Sequence, residues 1–350
     1  MKYKFLLITL LLWLAACTPD WWGEPIDAPE RTWYWVNFPN SECANGTPTG
    51  IGVNLVDGAN LVFIHIMGGG ACWDYEGCFE GSTLPVVNLD GFDQDKFNRQ
   101  INSLVPILMT DRSDLKNPFT DAHWVFIPYC TGDLHAGDSV TEIQDSHESQ
   151  RGTMHFKGYR NMQEFLTRLV PTFKNVEKVV LSGISAGGYG SHFNWHQVQQ
   201  AFGDIRVDVL NDSGTPVNPD AQRWKQWATL WNIQFPQDCL DCLEGIDRFT
   251  EYYRGNLLAT NRYGLISWTP DELIAHYFNI SPEDFEVRLH DVMEVFDQEK
   301  NAHYFVVSGS GHGFLFPGYY ENIESDDGMY LWRWVEQLVD DDPGWTSFKP

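Results

Sequence analysis

The sequence predicts an α/β fold with a mostly parallel central sheet, helices on both faces and a cap or insertion region. Three observations carry this. Short apolar runs with strand character recur with helical stretches between them, the rhythm of a parallel sheet. One run, Lys178 to Ser182, passes without a gap into Gly183-Ile184-Ser185-Ala186-Gly187 and then into a helical pattern. A histidine flanked by glycines, His312, follows a late strand-like run.

In chain order, Leu61 to Met67 is an apolar run that stops at Gly68-Gly69-Gly70. Trp124 to Tyr129, Lys178 to Ser182, Arg206 to Leu210, Gly264 to Trp268 and Tyr304 to Ser308 are the further expected strands. Gly158 to Phe173 places Met162, Phe165, Leu166, Leu169 and Val170 on one helical face. Tyr189 to Phe202 reads as the helix that leaves the Ser185 turn. The stretch 216–261, rich in aromatic residues, is read as the cap or insertion. No repeat, low-complexity tract or linker divides the chain.

Gly-Ile-Ser-Ala-Gly matches G-x-S-x-G between a strand and a helix, the context in which a serine is presented on a strained turn of the α/β-hydrolase type. Small flanking residues let that turn close, and the helix that follows turns its free N–H groups toward developing negative charge. Ser185 is therefore the candidate nucleophile. A hydroxyl needs a base, and in this fold the base lies late in the chain. His312, in Ser308-Gly309-Ser310-Gly311-His312-Gly313, meets that demand. His65 falls inside a strand and reads as packed. His192 and His196 sit at i, i+4 spacing but lack the glutamate of H-E-x-x-H, so no metal is expected.

The orienting acid carries little local signature, and two aspartates follow strands. Asp212 stands in Asn211-Asp212-Ser213-Gly214, and Asp271 in Trp268-Thr269-Pro270-Asp271-Glu272. The latter also reads as a helix start, with Thr269 as N-cap and Pro270 at the first helical position. Oxyanion donors are expected from the Ala186 N–H and from the Gly68-Gly69-Gly70 loop.

Lys2 and Lys4 precede an apolar run, Phe5 to Ala16, that ends in Leu14-Ala15-Ala16-Cys17. It is short for a membrane span and has the layout of an export signal, and its last four residues resemble a bacterial lipobox in which Cys17 is lipidated. The expected organisation is a signal peptide at 1–16, a lipidated tether at 17–34 and a single domain at 35–350. Six further cysteines, Cys43, Cys72, Cys78, Cys130, Cys239 and Cys242, suggest three disulfides in an exported chain. Cys72 with Cys78 is the first pairing expected; the others are open, and Cys239 with Cys242 could instead form half a zinc site. With 48 acidic against 23 basic residues and a net charge of −25, nucleic acid is excluded as a partner.

With these residues placed, the chain resembles the pectin acetylesterase and Notum family of α/β hydrolases. The resemblance rests on Gly68-Gly69-Gly70-Ala71-Cys72-Trp73, Tyr129-Cys130-Thr131-Gly132-Asp133, Phe156-Lys157-Gly158-Tyr159-Arg160-Asn161 and Gly183-Ile184-Ser185-Ala186-Gly187-Gly188, followed by Asp212-Ser213-Gly214 and Gly311-His312-Gly313. It implies a Ser185, His312, Asp271 triad, favouring Asp271 over Asp212, with oxyanion donors at Gly69, Gly70 and Ala186 and a substrate contact at Trp73. Pro270 before the acid and a smaller cysteine count than in animal members are departures from the family pattern.

The implied reaction is cofactor-free ester hydrolysis through an acyl-enzyme, with an acyl group, O-acetyl above all, leaving a carbohydrate or similar carrier. The implied setting is a monomeric lipoprotein of the bacterial cell envelope or cell surface, held to the membrane only by its N-terminal lipid. Rival readings are an inactive glycan-binding lipoprotein and a serine peptidase or long-chain acyl esterase using the same triad.

Overall fold

A computed structural model describes residues 22–81, 84 and 86–350. The proposed signal peptide and Cys17 lie outside the described residues. Ten strands form an eight-stranded sheet and a separate hairpin among the described residues. The first two strands, β1 (Tyr34–Phe38) and β2 (Thr49–Asn54), pair antiparallel, and β2 pairs antiparallel with β4 (His123–Ile127). From there β3 (Leu61–Ile66), β7 (Lys178–Ile184), β8 (Arg206–Asp212), β9 (Tyr263–Trp268) and β10 (Ala302–Val307) run parallel. The hairpin is β5 (Ser139–Gln144) with β6 (Arg151–Phe156).

The six expected strands are all present. Those at the sheet centre are buried along nearly their whole length, because helices cover both faces and every side chain must be apolar or paired. The sheet order β1-β2-β4-β3-β7-β8-β9-β10 reverses direction between β3 and β7. At such a switch point the two following loops diverge and leave a crevice at the carboxyl ends of the strands. Here those loops are the Gly68 to Gly70 loop and the Ser185 turn.

Nine α-helices surround the sheet among the described residues. Helix α1 is Tyr75–Phe79, α2 is Gln94–Leu104, α3 is Gly158–Thr172 and α4 is Ala186–Phe202. The start of α4 corrects the expected Tyr189: the helix begins directly after Ser185, leaving no intervening loop. The stretch 216–261 carries α5 (Ala221–Leu230) and α6 (Ile246–Asn256). Phe249 of α6 packs against His192 and Phe193 of α4, while Trp227 of α5 reaches Trp73 with ring centres 5.6 Å apart. Helices α7 (Glu272–Phe278), α8 (Pro282–Phe296) and α9 (Leu331–Val339) complete the set. None among the described residues is long and apolar enough to cross a membrane.

Disulfides join Cys43 to Cys130, Cys72 to Cys78 and Cys239 to Cys242. The last pairing overturns the half-zinc-site alternative, since a bonded sulfur has no thiolate to offer a metal. Three disulfides are the usage of a chain matured in an oxidising compartment.

Candidate active site

Ser185 has φ 59° and ψ −123° and serves as N-cap of α4 without its side chain making a capping bond. Its N–H is held by the Asp212 carbonyl at 2.9 Å, so the strained turn is pinned from the neighbouring strand. The motif's glycines are explained by close approach. A Cβ on Gly183 would stand 2.0 Å from the Gly187 carbonyl oxygen, and one on Gly187 would stand 2.0 Å from that of Ile66. Any larger residue would push the turn off the sheet edge.

The glycine loop lies directly beside this turn, since a Cβ on Gly68 would be 3.2 Å from that of Ser185. Gly69 and Gly70 both take positive φ, 146° and 80°. Their peptides are locked from outside: the Val87 N–H donates to the Gly69 carbonyl at 3.1 Å, and the Tyr129 hydroxyl donates to the Gly70 carbonyl at 2.8 Å. Because a trans peptide sets its N–H opposite its C=O, tying down the Gly69 carbonyl fixes where the Gly70 N–H points. His135 Nε2 lies 2.9 Å from the Met67 carbonyl and extends the same bracing to the strand end. Ala186 is the first residue of α4, so its N–H has no partner within the helix.

His312 Nδ1 lies 2.7 Å from Asp271 Oδ2, and Asp271 is fully buried. Its other oxygen accepts the Ile274 N–H at 3.0 Å and caps α7. The expected cap at Thr269 is corrected here: Asp271 itself is the N-cap, and the Thr269 hydroxyl instead accepts the Gly309 N–H at 3.2 Å. Burial disfavours the His312 imidazolium, but the adjacent Asp271 carboxylate, helped by Asp212, outweighs it and holds the ring's pKa above its usual 6.5. His312 Nε2 is buried and makes no hydrogen bond among the described residues, leaving it as the ring atom able to receive a proton.

Asp212 does a different job. Its Oδ2 accepts the N–H groups of Phe314 and Leu315, both at 2.8 Å, and its Oδ1 accepts the Ser213 hydroxyl at 2.9 Å. Ser213 Oγ in turn accepts the Gly313 N–H at 2.9 Å. The Asp212-Ser213 pair thus holds the backbone just after His312 while Asp271 holds the ring. Burial pushes the Asp212 carboxyl up to about 6, with those donors pulling the other way.

In front of Ser185 the walls are Leu134, Trp227, Ile274, Tyr277 and Phe278, enclosing a cavity of about 10 Å³, the room of one water molecule. The larger hollows of 330 to 750 Å³ include neither Ser185, Asp271 nor His312. Trp73 is not among the lining residues. Its ring is covered by the Arg223 guanidinium at 3.7 Å and packs on Trp227 and Tyr277, so it stands behind the wall. Among the described residues no group of three His, Cys, Asp or Glu is placed to hold a metal.

Tyr129 and Leu134 were given no role by the sequence. The loop between them is organised by buried Asp133, which accepts the Thr131 hydroxyl and the N–H groups of His135, Gly137 and Gly158. Two separate motifs of the chain, at 129–133 and 156–161, therefore meet on one carboxylate.

A model of the pectinacetylesterase family matches residues 36–236, more than half of the chain. The chain belongs to the pectinacetylesterase family. The match includes Ser185 and the glycine loop and stops short of Asp271 and His312. A palmitoleoyl-protein carboxylesterase of Xenopus laevis, notum2, is 24% identical over 267 residues, covering 69% of this chain and 52% of that protein. Human NOTUM, also named a palmitoleoyl-protein carboxylesterase, is 26% identical over 61% of this chain and 40% of its own length. The chain thus spans about half or less of these relatives. Among solved structures, a 1.9 Å crystal form of the Wnt deacylase Notum from Drosophila superposes with a TM-score of 0.62 at 20% identity, covering 89% of this chain and 94% of that one. That likeness shows that this family member has the Notum fold.

Proposed function

We propose that this pectinacetylesterase family member is a serine carboxylic-ester hydrolase that removes a short acyl group, acetyl above all, from a carbohydrate carrier. Ser185 Oγ attacks the acyl carbonyl while His312 Nε2 takes its proton. The tetrahedral oxyanion is met by the N–H groups of Ala186, Gly70 and Gly69. The carrier alcohol leaves with the proton returned by His312, and water then releases the acid by the same steps reversed. Asp271 keeps the imidazole in the tautomer that exposes Nε2 and stabilises its charge.

The observation that carries this reading is the 2.7 Å pairing of His312 with Asp271, on loops at the same sheet edge as a serine on a strained strand-to-helix turn, with Gly313 next to His312 meeting Ile184 next to Ser185. The 10 Å³ cavity, with room for one water molecule, offers no space for a fatty chain, since pockets for drug-sized ligands run to about 300 Å³ or more, and the choice of acetyl rests on family membership. The carbohydrate carrier rests on family membership. Lipid attachment at Cys17 and a place in the bacterial envelope rest on the N-terminal sequence, and a monomeric state completes the proposal.

The test compares wild type with Ser185→Ala on nitrophenyl acetate, nitrophenyl palmitate and a peptide amide. Turnover of the acetate alone, lost in the variant, is expected. No ester turnover by wild type sinks the enzyme reading, and turnover by the variant sinks Ser185 as nucleophile. Incorporation of radioactive palmitate, abolished by Cys17→Ser, is expected for the anchor, and an unlabelled wild type would refute it.

A further inference from the structure

Beyond the acyl pocket, the chain that carries His312 continues as Gly313-Phe314-Leu315-Phe316-Pro317-Gly318-Tyr319. Phe316 and Tyr319 are two of its large apolar side chains, and they remain 44% and 48% exposed. They occupy the first and last positions of a β-turn closed by the Tyr319 N–H donating to the Phe316 carbonyl at 3.2 Å. Pro317 and Gly318, the latter at φ 88°, fill its centre, the order that a proline-then-glycine turn favours. The Gly318 N–H is further held by the Glu321 carboxylate at 2.9 Å. Both rings are anchored at one edge. A Cβ on Gly313 would meet the Phe316 ring at 2.5 Å and Ile184, the neighbour of Ser185, at 3.4 Å, while Tyr319 meets Trp268 edge to face at 6.4 Å.

Two rings held on a stiff turn, one of them meeting Gly313 and with it reaching Ile184, the neighbours of His312 and Ser185, are a surface built to be covered. Exposed apolar groups beside a catalytic crevice mark a binding site rather than a packing error. Rigid rings also lose little entropy on contact. The cavity at Ser185 is far too small for a sugar, so the carrier lies outside it, and this loop adjoins the Ser185 turn through Gly313 and Ile184. The flat C–H face of a pyranose complements an aromatic ring.

Charge narrows the class of sugar. Residues 308–332 contain Glu321, Glu324, Asp326 and Asp327 and no lysine or arginine. Lys116, which reaches this loop, donates to the Glu321 carbonyl at 3.3 Å and lies over the Trp332 ring. With the Glu321 carboxylate seated on this turn and a net charge of −25 over the chain, the surface disfavours a polyuronate or an anionic lipid headgroup.

We propose that Phe316 and Tyr319 form the carrier subsite, stacking the backbone of an uncharged, O-acylated glycan while its acyl group enters the pocket at Ser185. This deepens the ester-hydrolase reading above and rests on it.

The test measures kcat/KM on acetylated xylan, acetylated polygalacturonate and nitrophenyl acetate for wild type, Phe316→Ala/Tyr319→Ala and the conservative Phe316→Trp. The ratio of xylan to nitrophenyl acetate kcat/KM is expected to fall about tenfold in the double alanine variant, mainly through KM, and to survive in Phe316→Trp. Wild type is expected to favour xylan over polygalacturonate, most strongly at low salt. A ratio that falls less than threefold, or a preference for polygalacturonate, overturns the proposal. If wild type turns over no ester, the enzyme reading fails by itself. Retardation in an acetylated-xylan gel, lost in the double variant, then decides the platform separately, and retention by both proteins or by neither overturns it.

Discussion

Asp271 joins two structures with one side chain: Oδ2 faces His312 Nδ1 at 2.7 Å, and Oδ1 accepts the Ile274 N–H that opens α7. Asparagine can still cap a helix but cannot stabilise an imidazolium, and it favours the wrong ring tautomer. Asp271→Asn should therefore keep its thermal stability within about 1 kcal/mol while kcat falls by about 10³–10⁴. Paired thermal melts and steady-state kinetics check this. A loss of fold with little change in kcat would show that capping is the residue's main work.

Asp212 should show the reverse balance. Asp212→Ala leaves the buried N–H groups of Phe314 and Leu315 without their acceptor, at about 1–3 kcal/mol each. Urea unfolding is expected to register the loss. At temperatures where the variant is folded, kcat should fall less than in Asp271→Asn.

The acid limb of activity follows from His312. A general base must be neutral, and this imidazole is held above 6.5 by Asp271, so kcat/KM on nitrophenyl acetate should rise through a midpoint above pH 6.5. In Asp271→Asn that midpoint should move down. For stability the sign is opposite: the raised pKa favours the fold below pH 6.5, and its contribution fades as pH climbs through the folded value. Four other histidines dominate the acid side. Burial lowers His65 and His192 to about 3 and His135 and His196 to about 4. Their support is complete above pH 6.5 and is withdrawn as pH falls toward those values, at up to about 1.4 kcal/mol per unit for each. Asp133 and Asp212, raised by burial to about 6, oppose this over a narrower range. The melting temperature is therefore expected to drop between pH 7 and pH 5.

Tyr129 holds the Gly68 to Gly70 loop, the proposed source of oxyanion donors, through one hydroxyl, which donates to the Gly70 carbonyl and accepts the Leu134 N–H at 3.0 Å. Tyr129→Phe should destabilise by about 1–3 kcal/mol, since both groups lose their partner. It should also lower kcat more than it raises KM, because loop donors count most in the transition state. A change confined to KM would assign the hydroxyl to substrate binding instead.

Leu134 forms a pocket wall from a backbone at φ 55°, a conformation costly for a branched side chain. Leu134→Gly removes the wall and relieves about 1–2 kcal/mol of that cost, offsetting part of the lost burial. The rate ratio of nitrophenyl butyrate to acetate is expected to rise at least severalfold. An unchanged ratio would place the acyl group elsewhere.

What the sequence made legible was the parallel part of the sheet and the residues at its strand ends. Runs buried on both faces, such as Val179 to Leu181, are apolar without interruption and announce themselves. The antiparallel edge did not. In β2, Thr49-Gly-Ile-Gly-Val-Asn54 is broken by glycines because Gly50 lies against Trp35 and the Val36 carbonyl, and Gly52 against Phe97. Those partners are remote in sequence. The β5-β6 hairpin is polar and half exposed, and its alternation is weak.

At the site, Ser185 and His312 carry local signatures because a strained turn and a glycine-flanked loop restrict their neighbours. Their local sequence does not separate the two aspartates, and only the family resemblance favours Asp271, since what distinguishes them is which donor each carboxylate meets across the fold. Leu134 carries no signature, and Tyr129 is legible only as the first residue of a family motif, because the hydroxyl's work is done on a carbonyl and an N–H of other segments.

The groups aligned here for chemistry stand at strand ends, whereas the cavity walls come from Leu134, Trp227 and the α7 trio Ile274, Tyr277 and Phe278, all on connecting segments. Selectivity and reactivity are thus encoded in separable stretches of gene. Insertions or exchanges in the connections can retarget the scaffold to a new acyl donor while the strands drift little, so identity averaged over the sheet is a poor guide to what any one descendant deacylates.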